Sequence, residues 1–180
     1  VQIVEPLQLR ITGDQGEDST AYLENAYNEA AADPDARQDI IERMQVAQKK
    51  FLAKMWEERD PEIVVQTPEE AVILASIVEN ETGVPHERPQ VASLFINRLN
   101  KPMRLQSDPT IVYGITRGVP LGHGLRVSEI AQKTEWNTYQ IDGLPKTPIC
   151  NPGRESIKAV LNPAQTNYIY FVADGSGGHA

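Results

Sequence analysis

Cysteine is almost missing from this chain of 180 residues: Cys150 is the single one. That excludes an intramolecular disulfide and any zinc site built from several cysteines, and it leaves the redox compartment open. Basic charge is also short. Lys and Arg total 17 against 25 Asp and Glu, a net charge of −8, so the chain has no positive field with which to grip a phosphate backbone, and nucleic acid is an unfavoured partner. No apolar run approaches the roughly 18 to 20 residues of a membrane-spanning helix. The first twenty residues lack the basic and apolar regions of a signal peptide, so the chain as it stands reads as soluble. Val1 in place of an initiator Met, and an end at Gly177-Gly178-His179-Ala180, suggest a longer natural protein cut at both ends, with any anchor outside this stretch.

What is present is an ordinary globular composition, 40% hydrophobic and 23% charged. The length suits one domain with a small appendage and is too short for a TIM barrel. Residues 1–12 alternate loosely and read as one or two short strands broken at Pro6, with a turn at Gly13-Asp14-Gln15-Gly16. An acidic helix is expected over Ser19 to Ala32. Asp33-Pro34 then opens a long helix to about Arg59, whose Ile40, Ile41, Met44, Phe51, Leu52, Met55 and Trp56 recur at helical spacing and read as a packing face.

Thr67-Pro68-Glu69-Glu70 is a capping box: Thr67 accepts from the Glu70 amide, Pro68 fits the first helical position, and Glu70 reaches back to the cap amide. The helix it starts runs through Ala71 to Thr82 and is expected to stop at a left-handed Gly83. Further helices are expected from Glu87 to Leu99, from Ser107-Asp108-Pro109 to Gly114 with Asp108 as N-cap, from a cap at Ser128, and from Arg154 to Leu161. Tyr168 to Ala173 is the clearest strand, and Gly175 to Gly178 reads as a hairpin turn. The fold expected is α+β: helices packed around a small mixed or antiparallel sheet with that strand internal, and a boundary between residues 1–60 and 61–180.

Glu79 and Glu81 are the informative pair. Two positions apart on a helix is about 200° of rotation, so their carboxylates cannot share a face. Behind Glu81 lie Val78, Ile77 and Leu74, an apolar stripe, whereas Glu79 sits over Ser76, Ala75 and Val72. Glu81 therefore continues the hydrophobic face, where desolvation raises a carboxyl pKa towards the range of a general acid. The plainer reading is a last-turn glutamate that bends to solvent or pairs with Arg88 or Arg98. Asn97, Arg98, Arg104, Gln106, Asp108, Asn137, Tyr139, Asn151 and His179 fall in segments able to surround that helix end, though each alone is better read as a cap, a turn or a core hydrogen bond than as a ligand contact. His86, His123 and His179 have no metal-binding spacing, and no cofactor motif is found. No G-x-S-x-G or nucleophile-type cysteine context supports covalent catalysis, and Cys150 reads as a small buried hydrophobe.

The stretches Ile73-Leu74-Ala75-Ser76-Ile77-Val78-Glu79-Asn80-Glu81-Thr82, Val91-Ala92-Ser93-Leu94-Phe95-Ile96-Asn97-Arg98-Leu99 and Met103-Arg104-Leu105-Gln106-Ser107-Asp108-Pro109-Thr110 closely resemble the YceG-like family of endolytic murein transglycosylases. So do Asn137-Thr138-Tyr139, Gly143-Leu144-Pro145, Asn151-Pro152-Gly153 and Tyr170 to Gly175 followed by Gly177-Gly178-His179. The resemblance covers about residues 68–179. It implies a catalytic domain with a lysozyme-like catalytic helix end, in a single-pass bacterial inner-membrane protein whose periplasmic part cuts nascent peptidoglycan strands beside the peptidoglycan synthases. The acid of the family's E-x-E-T motif matches Glu81, with Glu79 and Thr82 as supporting residues; Thr82 takes the part of the hydroxyl that orients the acid. Gln106, Asn137, Tyr139 and Asn151 become candidates for holding sugar groups, and Asp108 a structural residue. Neither the LysM-like segment nor the E-G-x-L-x-P-D-T-Y motif usual upstream in the family is found in residues 1–60, and the family continues past the His of G-G-H. A hydrolytic muramidase using the same acid and a non-catalytic cell-wall scaffold remain as rivals.

Overall fold

The computed structural model describes residues 34–172, with side chains from Gln38 onward. The strands and turn expected over residues 1–16, the helix of residues 19–32, Ala173, the turn at 175–178 and His179 lie outside the described residues. Among the described residues there are six α-helices, α1 (Pro34–Glu57), α2 (Pro68–Glu81), α3 (Arg88–Asn100), α4 (Asp108–Thr116), α5 (Val127–Ile130) and α6 (Arg154–Leu161), plus a single 3-10 turn at Pro85–Glu87. Helix α1 falls in one compact unit, and the described residues from Arg59 onward fall in another. Along α1 the expected face is partly covered at Ile40, Ile41, Phe51, Leu52, Met55 and Trp56, while Met44 is exposed.

The capping box starts α2 as expected, with one shift. Thr67 Oγ1 accepts from the Glu70 amide at 3.1 Å, but the Glu70 carboxylate accepts from the Gln66 amide at 2.6 Å, one residue before the cap. Both satisfy donors left orphaned at a helix start. Ala71, Leu74, Ala75, Ile77 and Val78 are fully buried, so this helix is covered on nearly all sides. It packs against α3 and α6, and α3 packs against α6 in turn, giving a three-helix core that includes Leu94, Phe95, Ile157, Val160 and Leu161. Each such side chain contributes roughly 1.5–3 kcal/mol by leaving water. Ser76 is buried within this core and donates its hydroxyl to the Ile73 carbonyl. The same oxygen accepts the Ile149 amide at 3.0 Å, pinning the proline-rich loop after Gly143 onto α2.

The α2 terminus differs from the expectation. Gly83 is not among the glycines with positive φ. The chain leaves the helix at Thr82, which is extended at φ −135° and ψ 132°, and the Thr82 hydroxyl accepts the Val84 amide at 3.0 Å. That side-chain turn ends the helix without a left-handed residue. Helix α4 also runs past its expected stop, to Thr116, with Arg117 left-handed at φ 59°. Gly114 is instead an interior position of close approach: a Cβ there would meet Thr134 Oγ1 at 2.5 Å. Helix α5 is capped at Arg126, whose amide reaches the Glu129 carboxylate at 2.8 Å, rather than at Ser128.

The α+β expectation is overturned: the described residues are helical and contain no strand or sheet. The segment expected as a strand shows why. Tyr168, Tyr170 and Val172 are exposed while Ile169 and Phe171 are partly covered, so the two-residue alternation is real. Its carbonyls, however, are taken by side chains of α3. Asn97 Nδ2 donates to Thr166 O at 2.8 Å and Tyr168 O at 3.0 Å, and Arg98 Nε donates to Ile169 O at 2.7 Å. Phe171 meets Phe95 edge-on with centroids 6.4 Å apart. The alternating pattern thus marks extended backbone lying along a helix, which a period of two cannot distinguish from a sheet strand.

Candidate active site

The two glutamates of α2 point to different partners. Glu79 Oε2 accepts the Gly153 amide at 3.0 Å and the Ser156 hydroxyl at 2.6 Å. Gly153 is the N-cap residue of α6 and offers no side chain, so Glu79 supplies from another helix the anionic cap that α6 lacks. Glu81, at the last turn of α2, is half-buried, and its Oε2 accepts the Ser107 hydroxyl at 2.7 Å.

The start of α4 is cross-braced to the loop after α5. The Ser107 amide donates to Thr138 Oγ1 at 3.0 Å, Thr110 Oγ1 donates to the Ser107 carbonyl at 2.6 Å, and the Thr110 and Thr138 hydroxyls meet at 2.8 Å. Ser107 is 1% exposed. Next to it, Asp108 Oδ1 accepts the Tyr139 phenol at 2.7 Å. Burial, then the hydrogen bond to Asp108 and the negative charges of Asp108 and Glu81, push the Tyr139 phenol up to about 12. Arg98 completes the surroundings. Its Nη1 donates to Leu105 O at 2.6 Å and its Nε to Ile169 O, and its guanidinium lies 5.3 Å from the centre of the exposed Tyr170 ring. Burial lowers the pKa of Arg98, against the opposing pull of Tyr170, Tyr139 and Glu81. One carboxyl group is therefore held by a buried hydroxyl and is close enough to a cation fixed by two carbonyls and to a phenol for its charge to act on both. Such a constellation suits proton donation and return by a single acid.

The remaining sequence candidates fall elsewhere. Thr82 donates its hydroxyl to Glu87 Oε2 at 2.8 Å, within a buried cluster, so its Oγ is directed at Glu87. Asn137 is 1% exposed, and its polar atoms serve the chain itself: Nδ2 donates to Ile130 O at 3.0 Å and Gln132 O at 2.7 Å, and Oδ1 accepts the Tyr139 amide at 3.0 Å. Asn137 thereby shapes the loop that presents Tyr139. Gln106 and Asn151 are exposed, Gln106 with a left-handed φ of 50° and its amide on Thr138 O. Asp108, expected as the N-cap of α4, is its first residue and the phenol's acceptor, and Ser107 is the cap. Cys150 donates its thiol to Ser76 O at 3.3 Å, and burial, reinforced by Glu79, pushes it up to about 12. Among the described residues no group of three or more His, Cys, Asp and Glu could hold a metal ion. Ser107 is the member the sequence reading missed; its only signal was a serine one residue before the expected cap.

These motifs agree with what is known of other chains. A model described as the YceG-like family matches residues 17–180, and the chain belongs to that family. The endolytic murein transglycosylase of Bacillus subtilis (strain 168) is 39% identical over 106 residues, which are 58% of this chain and 28% of that one. That of Streptococcus pneumoniae (strain D39) is 33% identical over 117 residues, 62% of this chain and 21% of that one. The chain thus spans between a fifth and a third of the length of these relatives. A solved YceG-like protein from Listeria monocytogenes superimposes with a TM-score of 0.61 at 30% identity, over 78% of this chain and 44% of the other.

Proposed function

We propose that the chain carries the glycan-cleaving part of an endolytic murein transglycosylase, with Glu81 as its one general acid and base. The observation that carries the reading is the carboxyl group of Glu81 at the end of the core helix, held on the buried Ser107 hydroxyl at 2.7 Å. The names of the curated relatives support the substrate class. Glu81 in its acid form donates its proton to the oxygen joining MurNAc C1 to GlcNAc; the C1–O bond breaks, GlcNAc leaves as an alcohol, and positive charge develops at C1. The Glu81 carboxylate then takes the proton of the MurNAc C6 hydroxyl as O6 closes on C1. The acid is regenerated and a 1,6-anhydro end is formed without water. Because the substrate supplies the second nucleophile, a single carboxyl group suffices where ordinary glycosidases use two. Asp108, the other carboxylate facing Tyr139, is taken by the phenol, in keeping with that economy.

In this reading Gln106, Tyr139 and Asn151 hold sugar hydroxyls and N-acetyl groups. Thr82 and Glu79 support the helix end, and Asn137 supports the Tyr139 loop. Residues 61–180 form the catalytic domain. The enzyme works on the periplasmic side of a bacterial inner membrane, held by a single-pass anchor outside this chain and beside the peptidoglycan synthases; among the described residues no helix is long and apolar enough to cross a membrane. Incubation with uncrosslinked glycan strands, followed by mass spectrometry of the new termini, tests the chemistry. Anhydro ends, lighter than reducing ends by one water, are expected. Reducing ends identify a hydrolytic muramidase, and intact strands identify a scaffold.

A further inference from the structure

From the geometry of the α4 start we infer that Ser107 is the positioning residue of Glu81, holding its Oε2 and fixing the orientation of the carboxyl group; this rests on the reading of Glu81 as the acid and base. Ser107 stands at an N-cap, where a serine hydroxyl ordinarily accepts from its own helix. Here it makes no cap hydrogen bond. The orphan amide of Thr110 is met by the Ser107 carbonyl at 3.1 Å, and the hydroxyl instead reaches 26 residues back to Glu81. Its own backbone is clamped on both sides, by Thr138 Oγ1 at the amide and Thr110 Oγ1 at the carbonyl, so the hydroxyl has little freedom to wander. Ser107 itself is buried, which limits the competition of bulk water for its hydroxyl.

In a protonated carboxyl group the carbonyl oxygen is the better acceptor. A donor fixed on Oε2 therefore favours Oε2 as the carbonyl-type oxygen of the acid form. After the proton leaves, the same O–H stabilises the carboxylate during the interval before it collects the proton of the C6 hydroxyl. Thr82, the hydroxyl adjacent in sequence, is directed at Glu87 and serves a different carboxylate.

The test uses Ser107→Ala and Ser107→Gly in the full chain, with Glu81→Gln measured alongside. Loss of a hydrogen bond to a charged group is expected to lower kcat roughly 10- to 100-fold, with KM changed less than about twofold. The limb on which activity falls as pH rises through the Glu81 pKa should move to higher pH, because the removed donor favoured the charged form. Arg98 and Tyr139, whose charges couple to Glu81, and Asp108 on the Tyr139 phenol are unchanged in these variants. Wild-type kcat with an unmoved limb overturns the inference. So does recovery of the rate in Ser107→Gly, since glycine is tolerated at an N-cap and would expose a role in the helix alone. If Glu81→Gln itself cleaves normally, the underlying reading of Glu81 fails, whatever Ser107 does.

Discussion

Replacing Glu79 by alanine separates the two glutamates of the E-x-E-T motif by what each one does. The structure gives Glu79 two hydrogen bonds across to α6, from the Gly153 amide and from the Ser156 hydroxyl, and Ser156 is fully buried. Hydrogen bonds to a charged acceptor contribute about 1.5–3 kcal/mol each when buried, and about half that at a half-buried carboxylate. The favourable placement of an anion at a helix N-terminus adds roughly 0.3–1 kcal/mol. The expected loss is therefore about 2–4 kcal/mol, which lowers the midpoint of a unit of this size by on the order of 10–20 °C. Glu79→Gln keeps an acceptor oxygen and should lose less than half as much. Thermal unfolding followed by far-UV circular dichroism reads the stability, and strand cleavage measured well below both midpoints should stay within about threefold of wild type. An unchanged midpoint would refute the capping role. A folded, equally stable Glu79→Ala protein that no longer cleaves would refute the division of labour between Glu79 and Glu81.

Two partly buried ionisable groups give further outcomes. The thiol of Cys150, pushed up to about 12, should resist alkylation in the folded protein at mildly alkaline pH and react fully once the chain is unfolded; equal rates in both states would contradict its burial. The Tyr139 phenol, raised to about 12 from 10, remains neutral in the folded state after the unfolded chain has begun to ionise. Its contribution to stability is therefore full below pH 10 and lost as pH rises towards 12. Denaturant titrations across that interval should show a shallower fall for Tyr139→Phe than for wild type.

Much of the helical frame was readable because local chemistry and tertiary packing agree there. Thr67 to Glu70 carries its own start signal, and the apolar positions that follow have nowhere to go but a core. Helix α6 begins and ends at the residues expected of it, Arg154 and Leu161. Helix geometry alone sets the two glutamates of α2 about 200° apart, but both are half-buried and the face behind Glu79 is nearly as covered as the one behind Glu81, so rotation did not tell which carboxyl faces the core. What could not be read was the set of partners. Period-two alternation over Tyr168 to Val172 shows that one side is covered, but not that the cover is a helix whose Asn97 and Arg98 occupy the carbonyls. Ser107 and Glu81 are brought together by a brace between α4 and the Thr138 loop, and Asn137 is turned inward by carbonyls of the chain just before it. These pairings depend on long-range packing that residue spacing does not encode.

The most direct measurement is the cleavage of uncrosslinked glycan strands by wild type and by Glu81→Gln at equal folded concentration, with the termini identified by mass. Glutamine keeps the size and the acceptor oxygen of Glu81 but has no proton to lend. Wild type should release anhydro-terminated fragments, and their rate of formation should fall by at least about 10³-fold in the variant, on the scale of losing both general acid and general base. Fragments released at an undiminished rate by Glu81→Gln would contradict the assignment of both roles to Glu81.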